Sequence, residues 1–206
     1  MMAEMNAVQL SVCHSQKELQ DLFAFRYRVY VEEMKRPQKY ANHAAKLIRD
    51  PLDSRGRNII ARAGDEIVGC VRVNFSRDGD LDYYERLLAM DKVGHSHPTA
   101  TSLCTRLMVA PDYRRSTLAV RLACASFDMG LRNGIVWNFV DCNDHLVEFF
   151  TRLGYECTHQ AVHEEYGLVN VMRLNILDEN HLRDAGSVFF KLLRNFKAMP
   201  LVSSGG

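Results

Sequence analysis

Leu107-Met-Val-Ala-Pro-Asp-Tyr-Arg-Arg-Ser-Thr-Leu-Ala119 is the stretch that decides the fold. An apolar, strand-like segment from Leu103 to Ala110 meets Pro111, then a short polar turn with Arg114 and Arg115, then an amphipathic run that stops at Asn133-Gly134. Backbone amides at the start of a helix are unpaired donors at the positive end of the macrodipole. They form a ready-made anion site, and the two arginines add charge to it. The expectation is strand, anion-binding turn and helix, the helix covering Arg114 to Arg132 with Leu118, Leu122, Ala125 and Met129 as its inward stripe.

Composition sets the bounds. At 206 residues and 47% apolar, the chain can bury a full core as one domain over residues 1–200, ahead of a flexible tail at 201–206. A net charge of +1 gives no whole-molecule pull toward nucleic acid or membrane. There is no run of about 18 apolar residues and no basic-then-apolar leader pattern. Cys13, Cys70, Cys104, Cys124, Cys142 and Cys157 are scattered without C-x-x-C spacing, which reads as reduced thiols in a cytoplasmic protein. His95-x-His97 sits beside Pro98 and reads as loop, so no structural metal is expected.

Around the deciding stretch the chain alternates without repeats. A strand is expected at Val8 to Cys13, and Ser15-Gln-Lys-Glu18 forms a capping box that opens a helix running to about Glu33. Strands at Asn58 to Ala63 and Ile67 to Phe75 flank the hairpin signal Gly64-Asp65. Residues 77–100 are a polar insertion with a short helix near Asp82 to Leu88. Ile135 to Asp141 reads as a buried strand, and Asn143 or Asp144 caps a short helix ended by Gly154. Strands near Tyr155 to Gln160 and Gly167 to Asn175 precede a last helix, about Asp178 to Phe196.

The loop Arg114-Arg115-Ser116-Thr117-Leu118-Ala119 resembles the R/Q-x-x-G-x-G/A pyrophosphate loop of the GCN5-related N-acetyltransferase (GNAT) superfamily, with Thr117 in place of the first glycine. Asn143-Asp-His-Leu-Val-Glu-Phe-Phe-Thr-Arg-Leu-Gly-Tyr155 is similar to the superfamily's N-x-x-A-x-x-F-Y-x-x-x-G-F/Y segment. The resemblance implies an α/β (α+β) fold: a mixed, mostly antiparallel sheet flanked by helices and splayed at the pantetheine-binding strand. The superfamily tyrosine that commonly protonates the departing thiolate corresponds to Phe150, which has no proton to give. With Thr117, this leaves room for a phosphopantetheine carrier other than coenzyme A.

The amino-terminal half narrows the resemblance. Leu19, Phe23, Arg26 and Tyr30 fall on one helical face, and a cation on an apolar stripe is costly unless paired. Asp50-Pro-Leu-Asp53 offers natural partners. Arg26-Tyr-Arg-Val-Tyr30, the paired acids and Gly69-Cys-Val-Arg72 together resemble the branch that contains acyl-homoserine-lactone (autoinducer) synthases and long-chain N-acyl amino acid synthases. Lactone synthases usually carry E-x-x-R, and Leu103-Cys-Thr-Arg106 keeps only the arginine. Their common tryptophan after the first helix is absent, Lys35-Arg36-Pro37 standing there. The resemblance therefore points to an N-acyl amino acid synthase.

It implies an acyl-phosphopantetheine thioester as co-substrate, delivered by an acyl carrier protein or as acyl-CoA, with no permanently bound cofactor. Met108 and Val109 would meet the pantetheine amides as a neighbouring strand does. Amides of Ser116, Thr117, Leu118 and Ala119, with Arg114 or Arg115 and with Asn143 nearby, would hold the phosphate end. Glu33 is the expected base for the amine, or else a solvated helix-end carboxylate. Arg72 or Arg26 could grip the substrate carboxylate in a bidentate fork. Arg26 could equally be a structural partner of Asp50 or Asp53, and those acids could fix a loop or recognise the amine; Tyr30 and Arg106 complete the expected substrate site.

Arg114, Arg115, Arg121 and Arg132, with Lys191, Arg194 and Lys197 of the last helix, form a basic rim suited to an acidic carrier protein, or simply solvated helix faces. Phe189, Leu192, Leu193 and Phe196 opposite these cations could lie on a membrane surface or pack on the sheet. The competing functions are a lactone synthase, an acyl-CoA-dependent N-acyltransferase and a non-catalytic acyl-thioester sensor.

Overall fold

Ser15 starts the first helix as its spacing predicts: Ser15 Oγ accepts from the Glu18 amide at 3.2 Å, and Glu18 Oε2 accepts from the Ser15 amide at 3.0 Å. The computed structural model describes residues 8–199; the tail expected at 201–206 lies outside the described residues. In chain order the elements are β1 (Gln9–Val12), α1 (Gln16–Tyr27), the short hairpin β2 (Ala41–Asn42) and β3 (Leu47–Ile48), β4 (Arg57–Ala63) and β5 (Glu66–Phe75). Then come α2 (Tyr84–Leu87), β6 (Thr101–Val109), α3 (Leu118–Arg132), β7 (Trp137–Cys142), α4 (Asp144–Arg152), β8 (Glu156–His163), β9 (Gly167–Asn175), α5 (Glu179–Asp184) and α6 (Phe189–Ala198). Seven strands form one sheet in the order β1-β4-β5-β6-β7-β9-β8, antiparallel except for β6 against β7.

That exception makes the site. β6 and β7 pair only from Thr101↔Trp137 to Leu103↔Phe139, although β6 runs on to Val109 and β7 to Cys142. Beyond Leu103 the strands part, and the sheet opens. The architecture is thus a mixed, mostly antiparallel sheet flanked by helices and splayed beyond Leu103, as the resemblance implied.

Strand alternation sorts the residues onto two faces. Ile59, Ala61, Val71, Val73, Val140 and Cys142 pack with Leu118, Leu122 and Phe127 of α3, Phe150 of α4 and Phe189 of α6. Ile60 and Cys70 pack on the other face with Leu22, Phe23 and Phe25 of α1. Each fully buried aliphatic chain of this kind contributes about 1.5–3 kcal/mol. Gly69 is where α3 crosses closest: a Cβ there would lie 3.0 Å from Leu122 Cδ1 and 3.1 Å from the Met108 carbonyl.

Five expectations change. The helix after β6 begins at Leu118 rather than Arg114, because Pro111–Tyr113 form a 3-10 turn whose hydrogen bonds hold Arg114 to Thr117 outside the helix. Its inward face is carried by Leu118, Leu122, Ser126, Phe127, Gly130 and Leu131, with Ala125 and Met129 at the margin, because Phe127 turns in to stack on Phe189 at 4.2 Å. The first helix ends at Tyr27 and continues as a π-helical turn over Arg28–Glu33. The last helix is two, α5 and α6, broken at Gly186 (φ +63°), where Ser187 Oγ caps the Phe189 amide at 3.1 Å. The insertion at 77–100 is not merely polar: Leu81, Tyr84, Leu88 and Met90 form a core cluster with Leu103, Phe139 and Val171.

Candidate active site

The five charged residues singled out at 26, 50, 53, 72 and 106 converge in one buried network. Arg26 Nη1 grips both oxygens of Asp53, at 2.8 and 2.9 Å, and Nη2 donates to Asn58 Oδ1 at 2.6 Å. Arg72 Nη1 donates to Asp50 and, at 3.1 Å, to Asp53 Oδ1; its Nε donates to Thr105 Oγ1 at 3.1 Å. Arg106 Nη2 donates to Asp50 Oδ2 at 2.9 Å, and Nη1 to Gln38 Oε1 at 2.7 Å. Burial pushes the Asp50 carboxyl up, but Arg72 and Arg106 outweigh it and hold its pKa at about 2.

Local sequence explains this convergence. Asp50 and Asp53 cap each other around a 3-10 turn opened by Pro51, with Asp53 Oδ2 accepting from the Asp50 amide at 2.9 Å. Arg72 and Asn74 alternate out of the α3 face onto the α1 face of β5. Arg106 enters through a bulge: Cys70 pairs with Met108 and Arg72 with Thr105, so Arg106 and Leu107 face Val71 alone, and Arg106 adopts φ +58°.

Arg26 and Arg72 are 0% and 1% exposed, and their forks are committed to Asp53, Asp50 and Asn58. Of the alternatives open for Arg26, this geometry is the structural one. Neither guanidinium reaches the cleft.

The cleft itself has a volume of about 550 Å³ and runs through the opening between β6 and β7. Leu107, Met108 and Val109 line it along β6, with Arg114 and Ala119 at the anion turn and Asn143 at the start of α4. On the α3–α4 side its walls are apolar, including Ala123, Val140, Phe149, Phe150 and Leu153. On the α1 side they are Tyr30, Tyr84, Tyr166, Arg36, Arg106 and Asp141. Tyr30 and Tyr166 stack with ring centroids 6.2 Å apart, and the Arg106 guanidinium lies over Tyr30 at 5.2 Å. Phe150 packs edge-on against Tyr155, whose hydroxyl is committed to Asn138 Oδ1.

At the anion turn the amides are unequally available. The Ser116 amide donates to the Tyr113 carbonyl and that of Leu118 to Ser116 Oγ. Among the described residues the amides of Thr117 and Ala119 have no such partner. Arg114 is anchored by Nε to the Val109 carbonyl at 3.1 Å and by Nη1 to Glu33 at 2.5 Å. Arg115 is exposed and does not line the cleft.

Glu33 therefore stands outside the cleft lining, paired with Arg114. The carboxylate that does line it is Asp141, which sequence reasoning placed at a strand end without a role. Alternation along β7 turns Val140 to the α3 face and Asp141 to the face of Arg106 and Tyr84. No cation contacts Asp141 among the described residues, and burial pushes its carboxyl up to about 6, against a weaker opposing pull from its own backbone amide and Arg106. Arg36, Tyr84, Tyr166 and Gln38 were also missed. The signal for Asp141 was present: an acid closing an otherwise apolar strand beside the anion turn.

Behind Tyr84, the Glu165 amide donates to His163 Nδ1 at 3.0 Å, so the neutral ring carries its proton on Nε2 toward the hydroxyls of Tyr83 and Tyr84, 2.6 and 3.1 Å away. Burial lowers the His163 pKa to about 4. Among the described residues, no group of three or more His, Cys, Asp or Glu side chains is arranged to hold a metal ion.

The family model described as an acetyltransferase (GNAT) domain matches residues 25–123, from α1 to the middle of α3. Over those residues the chain matches a GNAT domain. This GNAT domain superposes on MesI, a CoA-dependent acyl-homoserine lactone synthase, at 19% identity with a TM-score of 0.66, covering 86% of this chain and 95% of that one. BjaI, a CoA-dependent acyl-homoserine lactone synthase solved with SAM and isopentyl-CoA, gives 17% identity and a TM-score of 0.69 over 88% and 91% of the two chains. FeeM, an N-acyl amino acid synthase from uncultured soil microbes, gives 13% identity and 0.62 over 90% and 97%. These likenesses describe the fold. A comparison with curated proteins finds no match.

Proposed function

We propose that this GNAT domain is an N-acyltransferase that moves a fatty acyl group from a phosphopantetheine thioester to the amino group of an amino acid. The observation that carries the proposal is the cleft through the sheet, apolar on the α3–α4 side and bearing an unpaired carboxylate, Asp141, on the other. The donor thioester enters along Met108 and Val109 with its phosphate end at Arg114, Thr117 and Ala119, and its acyl chain lies against Ala123, Val140, Phe149 and Leu153. The acceptor amine enters on the side of Tyr30, Tyr84 and Tyr166.

Asp141 takes the proton of the acceptor ammonium, since a carboxyl near 6 is ionised at neutral pH yet basic enough to share it. The free amine attacks the thioester carbonyl, the amide C–N bond forms and the C–S bond breaks. The leaving thiolate is more basic than Asp141 and takes that proton from it, and the second proton that the nitrogen sheds as the amide forms passes from Asp141 to solvent, which regenerates the carboxylate. No hydroxyl at position 150 is needed for this cycle.

An acyl carrier protein is the proposed donor, because Thr117 departs from the glycine pattern of the pyrophosphate loop and Arg115 is exposed beside it. The basic rim is weaker than the sequence suggests: Arg132 pairs with Asp128, Arg121 donates to the Val8 carbonyl and Lys197 pairs with Glu179. Phe189 and Leu193 of α6 pack into the core, which supports packing over membrane contact for that face; no described helix is long and apolar enough to cross a membrane. All six cysteines are free, which fits action in the reducing cytoplasm. Mass spectrometry of small molecules extracted from a bacterial host expressing the chain tests the proposal: new N-acyl amino acids support it, and an unchanged extract alongside soluble, folded protein counts against it.

A further inference from the structure

An amino acid acceptor brings a carboxylate into the cleft, and the arginines first expected to receive it are committed elsewhere. Arg26 and Arg72 are buried against Asp53 and Asp50, Arg106 holds Asp50 and Gln38, and Arg114 holds Glu33. Arg36 is different. It lines the same cleft, is half-buried, and forms no ion pair among the described residues. Among the described residues its only side-chain hydrogen bond is a long one, 3.5 Å from Nη1 to Asn143 Oδ1, and its guanidinium lies 6.0 Å over the Tyr166 ring.

The backbone aims it there. Lys35 takes φ +54°, turning the chain sharply out of the π-helical turn, and the Arg36 amide donates to the Tyr30 carbonyl at 2.9 Å. The same turn that presents Tyr30 to the cleft therefore presents Arg36 beside it. An unpaired guanidinium in a partly enclosed site recognises a planar anion through two parallel N–H bonds.

We infer that Arg36 is the carboxylate-binding residue of the acceptor site, so that the acceptor is an amino acid with a free carboxylate and not a neutral or purely cationic amine. This rests on the proposed N-acyl transfer. Asp141 receives the amine and Arg36 the carboxylate, and Tyr166, which neighbours both Tyr30 and the Arg36 guanidinium, forms the wall along which the acceptor lies.

The test compares amino acids with their carboxamides as acceptors, using one decanoyl thioester on carrier protein, for the wild type and for Arg36→Gln and Arg36→Lys. A charge-assisted hydrogen-bonded contact corresponds to a preference of about 10- to 100-fold in kcat/KM. The wild type is expected to prefer the acids by that factor. Arg36→Gln should accept acid and amide within about threefold of each other, Arg36→Lys should recover part of the preference, and the KM for the thioester should stay put in both. Equal use of acids and amides by the wild type, or a preference that survives Arg36→Gln, overturns the assignment while leaving acyl transfer intact. So does a change confined to the thioester KM, which would make Arg36 a donor-phosphate contact. If no acceptor yields any product, the transfer reading itself fails, and the assignment with it.

Discussion

Arg106 Nη2 donates to Asp50 Oδ2 at 2.9 Å from a left-handed backbone position, φ +58°, in the bulge of β6. Such a conformation costs a non-glycine residue about 1–3 kcal/mol, so the surrounding contacts must over-determine it. Asp50 is central to those contacts because it also receives Arg72. Asp50→Asn leaves two buried guanidiniums short of charge, and unfolding by urea should show a loss of about 3–5 kcal/mol. A loss under 1 kcal/mol would mean that the network relaxes into solvent. The sign with pH follows from the depressed carboxyl: the pair's contribution is full above its unfolded value of 3.8 and is lost as pH falls toward about 2.

Asp141 titrates in the opposite direction. Its carboxyl is raised to about 6, so ionised Asp141 costs native stability, a cost absent below 3.8 and complete above about 6. The ionised form is the one that accepts a proton. Acyl transfer should therefore rise through an apparent pKa near 6, and Asp141→Asn should lower kcat by about 10²- to 10⁴-fold while raising or preserving the melting temperature. An unaltered pH–rate limb in Asp141→Asn would move the base elsewhere.

Glu33 and Arg114 form a half-exposed pair at the cleft's margin. Exposed ion pairs are worth only about 0–1 kcal/mol, so Glu33→Gln should change turnover by less than about fivefold. Arg114→Ala removes the fixed cation of the anion turn and should raise the thioester KM by about tenfold. If Glu33→Gln instead abolishes turnover with KM unchanged, Glu33 and not Asp141 is the base.

Gly56 packs directly on the buried network. A Cβ there would lie 2.7 Å from Arg72 Cδ and 2.9 Å from the Leu52 carbonyl. Because the backbone oxygen cannot swing aside, Gly56→Ala must displace Arg72 from Asp50 and Asp53. The expected cost is about 1–3 kcal/mol by thermal or chemical unfolding, with Gly79→Ala unsuited as a control because its φ is +139°.

The parts legible in the sequence were those fixed by local chemistry. The Ser15–Glu18 capping box, the Gly64-Asp65 hairpin, the β6 strand and the anion turn all depend on neighbours a few residues apart. The D-x-x-D pair was legible as a partner for Arg26, because a buried charge needs one, and Arg72 and Arg106 joined them only through the family resemblance. Which acid each arginine takes was not legible, since Arg26 with Asp53 and Arg106 with Asp50 are joined only when β5, β6 and α1 meet. Asp141 and Arg36 were harder still. Asp141 owes its exposure to the cleft to the parting of β6 from β7, and Arg36 owes its aim to a π-helical turn and a left-handed Lys35 that no periodicity reveals. The α3 stripe was displaced because Phe127 is drawn to Phe189, 62 residues further along the chain.

The most direct test of acyl transfer is the release of free thiol from decanoyl carrier protein by the purified chain, followed with and without a mixture of amino acids. The account predicts thiol release that depends on added amine, matched mole for mole by N-decanoyl amino acid, and lost in Asp141→Asn. Thioester that is bound but never consumed, or is hydrolysed at the same rate without amine, would contradict it.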